Sequence, residues 1–317
     1  MTQKTYPTHY TTADIALVER IHLWMAEHSY KQAALARLAR VPASTLNQII
    51  NGNYITSPSK QLASVESAMR HAEETTSDAV APVETSVFKL GQTCCAMARR
   101  NRNFAVFSGY VGTGKTFAIK HYAAEHSNTH LIEATPTMTP QSLIRDLSVR
   151  IAGYSGKGSI ASRFDAVVDA LRNTDSLLIV DEAETLTPHQ LHTLRRLRDL
   201  ANVGILLVGT EHLSGLIKPA HGQFDQIRSR TGFWPETVRQ ITQDDAAALV
   251  QAGFGTEEVP DEVVVRLYQY CKGSARMLVE GLIASMQQMR KGKQLSCDMV
   301  DFVARQALCL QALPKGA

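Results

Sequence analysis

The chain has 317 residues, 44% of them hydrophobic, five cysteines and a formal net charge of +3. That length suits two or three domains, and the near-neutral charge does not by itself point to nucleic acid, so any such surface has to be a local patch. No apolar run approaches the roughly 20 residues that span a bilayer, the N-terminus MTQKTYPTHYTTAD lacks a secretory apolar segment, and an odd cysteine count without a CxxC argues against disulfides or zinc and for a reducing cytoplasm.

Residues 13–70 carry apolar side chains at i, i+3 and i+4, the period of packed helices. Within them, 31–51 read KQAALARLARVPASTLNQIIN. Ala34, Leu35 and Leu38 form one inward face, 39–42 a tight turn, and 44–50 a second helix. That second helix points Leu46, Ile49 and Ile50 inward and Ser44, Thr45, Asn47 and Gln48 outward. A short helix, a tight turn and a helix with a polar face make a helix-turn-helix pattern. Small and amide side chains suit base edges in a major groove, and Lys31, Arg37, Arg40 and Lys60 suit phosphates. Residues 1–70 are therefore expected to form a DNA-binding domain. The acidic, Thr- and Ser-rich stretch 71–86 reads as a linker.

From 87 to 240, short apolar runs alternate with helical patterns. Strands are expected at 104–108, 130–134, 177–181 and 204–209, giving a parallel sheet covered by helices. Cys94 and Cys95 lie on an apolar helix ahead of the first strand and are expected in the core. Behind that strand, 109–116 read GYVGTGKT, which fits G-x-x-x-x-G-K-[ST] and leads into the helical FAIKHYAAEH. Gly109, Gly112 and Gly114 let the backbone curl so that N–H groups from Gly109, Tyr110, Val111, Gly112, Thr113 and Gly114 cradle phosphate oxygens. The following helix aims its positive end at the same point. Lys115 supplies a charge for the β and γ phosphates of ATP, and Thr116 a hydroxyl for Mg²⁺.

The strand at 177–181 ends in Asp181, followed by Glu182, at the sheet edge where open α/β folds bind ligands. Asp181 is expected to hold the Mg²⁺ with Thr116, and Glu182 to orient and deprotonate the attacking water. Strand 204–209 ends at Thr210, whose hydroxyl suits the γ phosphate or that water. Arg228 and Arg230 lie in FDQIRSRTGF, where either suits completion of a neighbouring subunit's site. His189 and His192 stand three apart on a helix with no third ligand in view. Residues 241–317 read as four helices, a C-terminal helical domain.

Two more basic groups suit DNA. In LHTLRRLRDL, Leu191, Leu194, Leu197 and Leu200 make the buried stripe, which leaves Arg195, Arg196 and Arg198 exposed. Lys157 lies in the glycine-rich GYSGKGS, and RRNR at 99–102 adds a further cluster.

The order of these features resembles the AAA+ ATPases and, within them, the clade of the phage Mu B transposition ATPases. The resemblance rests on the helix-turn-helix ahead of the core, VET at 83–85, LLIVDEAETL followed by LHTLRRLRDLA, GILLVGTEHL, and Gly273-Ser-Ala-Arg276. It implies an α/β AAA+ P-loop core, a parallel sheet with helices on both faces, behind an N-terminal helix-turn-helix and ahead of a helical lid. It implies a sensor-one role for Thr210, a sensor-two role for Arg276, and an arginine finger at Arg228 or Arg230, which the resemblance does not separate. It further implies an ATPase that oligomerises on double-stranded DNA as an ATP-dependent helical filament or ring. Such a protein captures target DNA, stimulates a DDE transposase, and disassembles on hydrolysis. Two other uses of such a core remain open: a helicase loader and an ATP-gated DNA-binding regulator. No membrane partner is implied.

Overall fold

Four helices build the N-terminal unit: α1 (Thr12–Glu27), α2 (Gln32–Leu38), α3 (Ala43–Ile50) and α4 (Ser59–Ser77). In this computed structural model, residues 6–7, 9–27, 32–39, 41–77, 82–154, 156–217, 225–290, 292 and 294–313 are described. They divide into two units, Met1–Pro82 and Val83–Ala317.

The first unit closes around one apolar cluster. Val18, Ile21 and Trp24 of α1, Leu35 and Ala36 of α2, Leu46 and Ile49 of α3, and Leu62, Val65 and Met69 of α4 are buried together. The start of α1 is a reciprocal cap: Thr11 N–H and Oγ1 donate to Asp14, and Asp14 N–H donates back to Thr11 Oγ1. Ser59 Oγ, at the first residue of α4, donates to the same carboxylate at 3.1 Å and so ties two helix starts together. Leu38 departs from the expected inward face and is 42% exposed. The face of α2 leans instead toward Leu35, Ala36 and Ala39, the side on which α3 and α4 pack. Lys31, Arg40 and the side chains of Ala34 and Arg37 lie outside the described residues. Helix α4 continues to Ser77, through the first half of the stretch read as linker. Its Ala, Met, Arg and Glu residues are good helix formers despite the polar composition.

The second unit opens with α5 (Ser86–Asn101) and β1 (Phe104–Ser108), then α6 (Lys115–Glu125), β2 (Thr129–Glu133), α7 (Pro140–Ala152), α8 (Ile160–Leu171) and β3 (Leu177–Asp181). After a single 3₁₀ turn (Ala183–Thr185) come α9 (Pro188–Ala201), β4 (Gly204–Gly209), α10 (Glu211–Ile217), α11 (Asp225–Arg228) and β5 (Thr231–Phe233). The strands form one five-stranded parallel sheet in the order β2-β3-β4-β1-β5. Successive residues of each strand point to opposite faces, and both faces are covered, so the central strands read as unbroken apolar runs. Ala105, Phe107, Leu177, Ile179, Leu206 and Val208 face α5 and α6, where Cys94 and Cys95 are fully buried. Phe104, Val106, Leu178, Val180, Ile205 and Leu207 face the cluster that α7, α8, α9 and α10 complete.

Strand β2 lies one residue earlier than the sequence reading, and β5 was not foreseen. β5 is three residues at the sheet edge, an exposed Gly232 between two half-buried ones, too short to leave a periodic signal. Leu200 corrects another expectation: it is 46% exposed, and Ala201 closes the stripe of α9. Nine residues of helix turn through two and a half turns, so Leu200 stands opposite Leu191.

The chain ends in a helical lid: α12 (Gln243–Phe254), α13 (Asp261–Cys271), a π-helical segment (Met277–Ile283) running into α14 (Ala284–Met289), and α15 (Cys297–Leu308). Arg266 Nε and Nη2 grip the two oxygens of Asp301 at 2.8 and 2.9 Å, and Tyr270 Oη donates to Oδ1 at 2.8 Å. Asp245, in the first turn of α12, accepts from Ser86 N–H at 2.6 Å and Ser86 Oγ at 2.5 Å, which fastens the start of α5 to the lid. Burial alone would raise the Asp245 pKa, but these bonds and those from Thr242 outweigh it and hold it below the usual carboxylate range. Among the described residues, no helix is long and apolar enough to cross a membrane.

Candidate nucleotide site and nucleic-acid surfaces

Between β1 and α6 the backbone makes a closed loop. Gly112 and Gly114 adopt φ of +80° and +101°, which side chains other than glycine resist. The entry to the loop is held by backbone bonds: Gly109 N–H to Gly209 O at 3.1 Å, Tyr110 N–H to Val238 O at 2.8 Å, and Val238 N–H to Ser108 O at 2.9 Å. Ala118 N–H to Gly114 O is the first turn's helical bond, so the N–H groups of Lys115, Thr116 and Phe117 precede the helical ladder. This is a donor-rich cradle at the positive end of α6.

Lys115 is 8% exposed, and its ammonium folds back over the loop. Nζ donates to Gly109 O at 2.7 Å and Tyr110 O at 2.8 Å, within 3.5 Å of Thr113 Oγ1. Burial lowers its pKa, and the charges of Asp181, Glu184 and Glu211 oppose that shift. The loop carbonyls thus hold a cation where an anion's charge would meet it. Beside it, Thr116 Oγ1 donates to Asp181 Oδ2 at 2.8 Å. A hydroxyl and a buried carboxylate make a hard-oxygen pair of the kind that suits Mg²⁺. The residues therefore fit a nucleotide phosphate with its magnesium.

Glu182 is exposed and adopts φ of +55°, an unfavourable conformation for a side chain with a Cβ. Its carbonyl accepts from Thr185 N–H at 3.0 Å and Thr185 Oγ1 at 2.9 Å. Desolvation, then the charges of Glu133, Asp181 and Glu184, push its pKa up. A carboxylate with raised proton affinity is better matched to taking a proton. The Thr210 hydroxyl, just past the end of β4, is enclosed and has no hydrogen-bond partner among the described residues.

The lid touches the loop directly. Arg276 N–H donates to Gly112 O at 2.9 Å, and Ser274 Oγ lies 3.5 Å from the same oxygen. The Arg276 side chain is 60% exposed and stands 3.9 Å from Glu280. The arginine pair falls elsewhere. Arg230 O accepts from Phe104 N–H at 3.0 Å, at the amino end of β1, whereas the loop follows its carboxyl end. The Arg230 guanidinium pairs with Asp199 at 2.9 Å, which also takes Arg198 at 3.1 Å. Arg228 is exposed, and among the described residues no ion pair holds it.

The candidate DNA residues divide. Ser44, Asn47 and Gln48 of α3 are exposed and Thr45 is half-buried. Asn47 Oδ1 already accepts from Asn51 Nδ2 at 3.0 Å and Gln32 Nε2 at 3.3 Å. Arg196 is exposed, but Arg195 and Arg198 are half-buried, contrary to the expected exposed row. Arg198 Nε is committed to Arg102 O at 2.9 Å. Lys157 is exposed on a loop braced by Arg163, which donates to Gly156 O at 2.8 Å and Ser148 Oγ at 3.0 Å and lies over the Tyr154 ring at 4.5 Å. Sequence reasoning missed Arg163, Ser274 and Val238, because their partners are distant in the chain and obey no spacing rule.

A phosphate loop after β1 of a five-stranded parallel sheet, with acids at the end of β3 beyond the intervening β4 and a helical lid, defines an AAA+ core. Residues 98–217 match the AAA domain family. The fold is also that of Cdc6p from Pyrobaculum aerophilum, with TM-score 0.53 at 16% identity over 72% of this chain and 68% of that one. The chain is 29% identical over 256 residues to the Mu-like prophage FluMu DNA transposition protein B of Haemophilus influenzae, covering 77% of this chain and 88% of that protein. It is 24% identical over 285 residues to the ATP-dependent target DNA activator B of Escherichia phage Mu, covering 86% of this chain and 88% of that one. Part of the chain thus matches an AAA domain, and most of its length is similar to the Mu B-type transposition proteins.

Proposed function

We propose that this protein is an ATP-dependent DNA-binding transposition protein. It oligomerises on target DNA, captures it for a DDE transposase and stimulates transposition, with hydrolysis of ATP to ADP and phosphate driving disassembly. The observation that carries the reading is the Lys115 ammonium and the Thr116–Asp181 pair gathered behind the glycine loop, in a chain like the B proteins over most of its length.

On this reading the N–H groups of 111–116 bind phosphate oxygens, because those of Gly109 and Tyr110, expected in the cradle, are taken by Gly209 O and Val238 O; Lys115 turns from the loop carbonyls to the β and γ phosphates. Thr116 and Asp181 would hold Mg²⁺, which supplies positive charge against the phosphate oxygens when bound. Glu182 orients a water and takes its proton, and Thr210 donates its enclosed hydroxyl to that water or to the γ phosphate. Arg276 closes the lid onto the phosphates. Arg228 is the better arginine finger, because it is exposed and no ion pair among the described residues holds it, while Arg230 is committed to Asp199. Residues 1–70 act as a helix-turn-helix DNA-binding domain through Ser44, Thr45, Asn47 and Gln48. In the 87–240 core, Lys157, Arg195 and Arg196 add phosphate contacts, and 241–317 act as the lid.

The test is electron microscopy of wild type and Glu182→Gln on double-stranded DNA with ATP or ADP. Filaments with ATP, persisting in Glu182→Gln and missing with ADP, support the reading. A discrete DNA-free particle in every nucleotide state would sink it.

A further inference from the structure

Two residues beyond Glu182, Glu184 makes a contact that neither the glycine loop nor the acid pair accounts for. It sits in the turn Ala183–Thr185, and among the described residues its enclosed Oε2 has no hydrogen-bond partner. That oxygen lies against the end of β4, where a Cβ on Gly209 would stand 2.2 Å from it. A side chain at 209 would push the carboxylate out of this position. The Gly209 carbonyl in turn accepts from Gly109 N–H at 3.1 Å, and the Gly109 carbonyl accepts from Lys115 Nζ at 2.7 Å. An unbroken series of contacts therefore runs from Glu184 through the end of β4 into the phosphate loop.

An enclosed carboxylate oxygen without a donor is unfavourable, and so is the left-handed conformation of Glu182. Both persist only where the surroundings over-determine them. The bonds inside the turn, Thr185 N–H to Glu182 O and Leu186 N–H to Ala183 O, close it on itself. The Glu184 contact fastens it to β4.

We propose that Glu184 is a positioning residue for hydrolysis: wedged against Gly209, it locks the turn that carries Glu182 to the strand that holds the glycine loop. This rests on the reading of Glu182 as the base. The wedge acts by shape, since its buried oxygen receives no hydrogen bond. Glutamine keeps that shape, alanine removes it, and a methyl group at position 209 evicts it.

The experiment uses the full chain with double-stranded DNA and combines three readouts: steady-state ATP hydrolysis, titration of a fluorescent N-methylanthraniloyl ATP, and amide hydrogen exchange across 182–187 in the nucleotide-free protein. Glu184→Ala is expected to lower kcat about tenfold while nucleotide affinity stays within about threefold. Exchange at Thr185 and Leu186 should quicken by about tenfold. Glu184→Gln should restore both. Gly209→Ala should match Glu184→Ala, and the double variant should be no worse than either alone, because both remove one contact. Wild-type kcat and exchange in Glu184→Ala would overturn the proposal. So would additive losses in the double variant, or a Glu184→Gln as impaired as Glu184→Ala. If Glu182→Gln hydrolyses ATP at the wild-type rate, the reading of the base fails instead, while the exchange arm still decides the wedge.

Discussion

The proposed nucleotide site and the candidate DNA-facing residues are built on different principles. The first is made of backbone: a loop with two positive-φ glycines, hydrogen-bonded to β4 and to Val238, with Lys115 and Asp181 both buried. The second is made of exposed side chains such as Gln48, Lys157 and Arg196, held by few bonds or none that constrain their tips. A backbone-built site demands particular residues at particular spacings, whereas a charged surface demands only that enough charge be somewhere near. Removing one member should therefore be severe in the first region and mild in the second.

Arg228 offers the sharpest way to break that contrast, because it is exposed yet assigned to catalysis. Arg228→Ala is expected to cut ATP hydrolysis by the DNA-assembled protein by about a thousandfold, with nucleotide affinity of the unassembled chain unchanged. An equal loss in the unassembled chain would show the arginine acting within its own subunit. Glu182→Gln comes next, with turnover down about a hundredfold and nucleotide binding kept. A normal turnover number would remove Glu182 as the base.

The lid supplies an intermediate case. The Arg266 guanidinium beside Asp301 holds its carboxyl below the usual range, against a smaller opposing effect of burial. A depressed folded pKa means stability that is present above the unfolded value and lost as pH falls through the folded one. Asp301→Asn should cost about 2–4 kcal/mol at pH 7, because Arg266 is left buried without its partner. The gap in melting temperature from wild type should close below about pH 4. A gap that stays constant into acid would show that packing, not charge, carries the effect.

The smallest effects are expected on the DNA side. Lys157→Glu should weaken DNA binding by about 1 kcal/mol and flatten its salt dependence by about two counterions. Gln48→Ala should cost about 1 kcal/mol without changing the salt slope. Fluorescence anisotropy across a salt series measures both, and a hundredfold loss from either would end the distinction between the two regions.

Several features were legible before any coordinates. The strands at 104–108, 177–181 and 204–209 announce themselves because both sheet faces are covered, so all but their last residues are apolar or glycine. The glycine loop and its Lys-Thr pair are legible because phosphate recognition by backbone leaves a fixed local spacing. Leu38 and Leu200 were misread because a leucine on a helix reports apolarity, while the angle at which the helix meets its neighbours decides which leucine is covered. The short edge strand β5 and the π segment in the lid leave no local pattern at all.

The amino-acid sequence by itself thus determined the fold class, the central strands and the glycine loop on which the proposed nucleotide site rests, since each depends on neighbours within a few positions. Only the tertiary structure decided that Arg230 is tied to Asp199, that Arg276 meets the glycine loop through its backbone, and that Glu184 lies on Gly209. Those relations join segments tens of residues apart. They are set by how helices and strands pack in three dimensions, which no local spacing encodes.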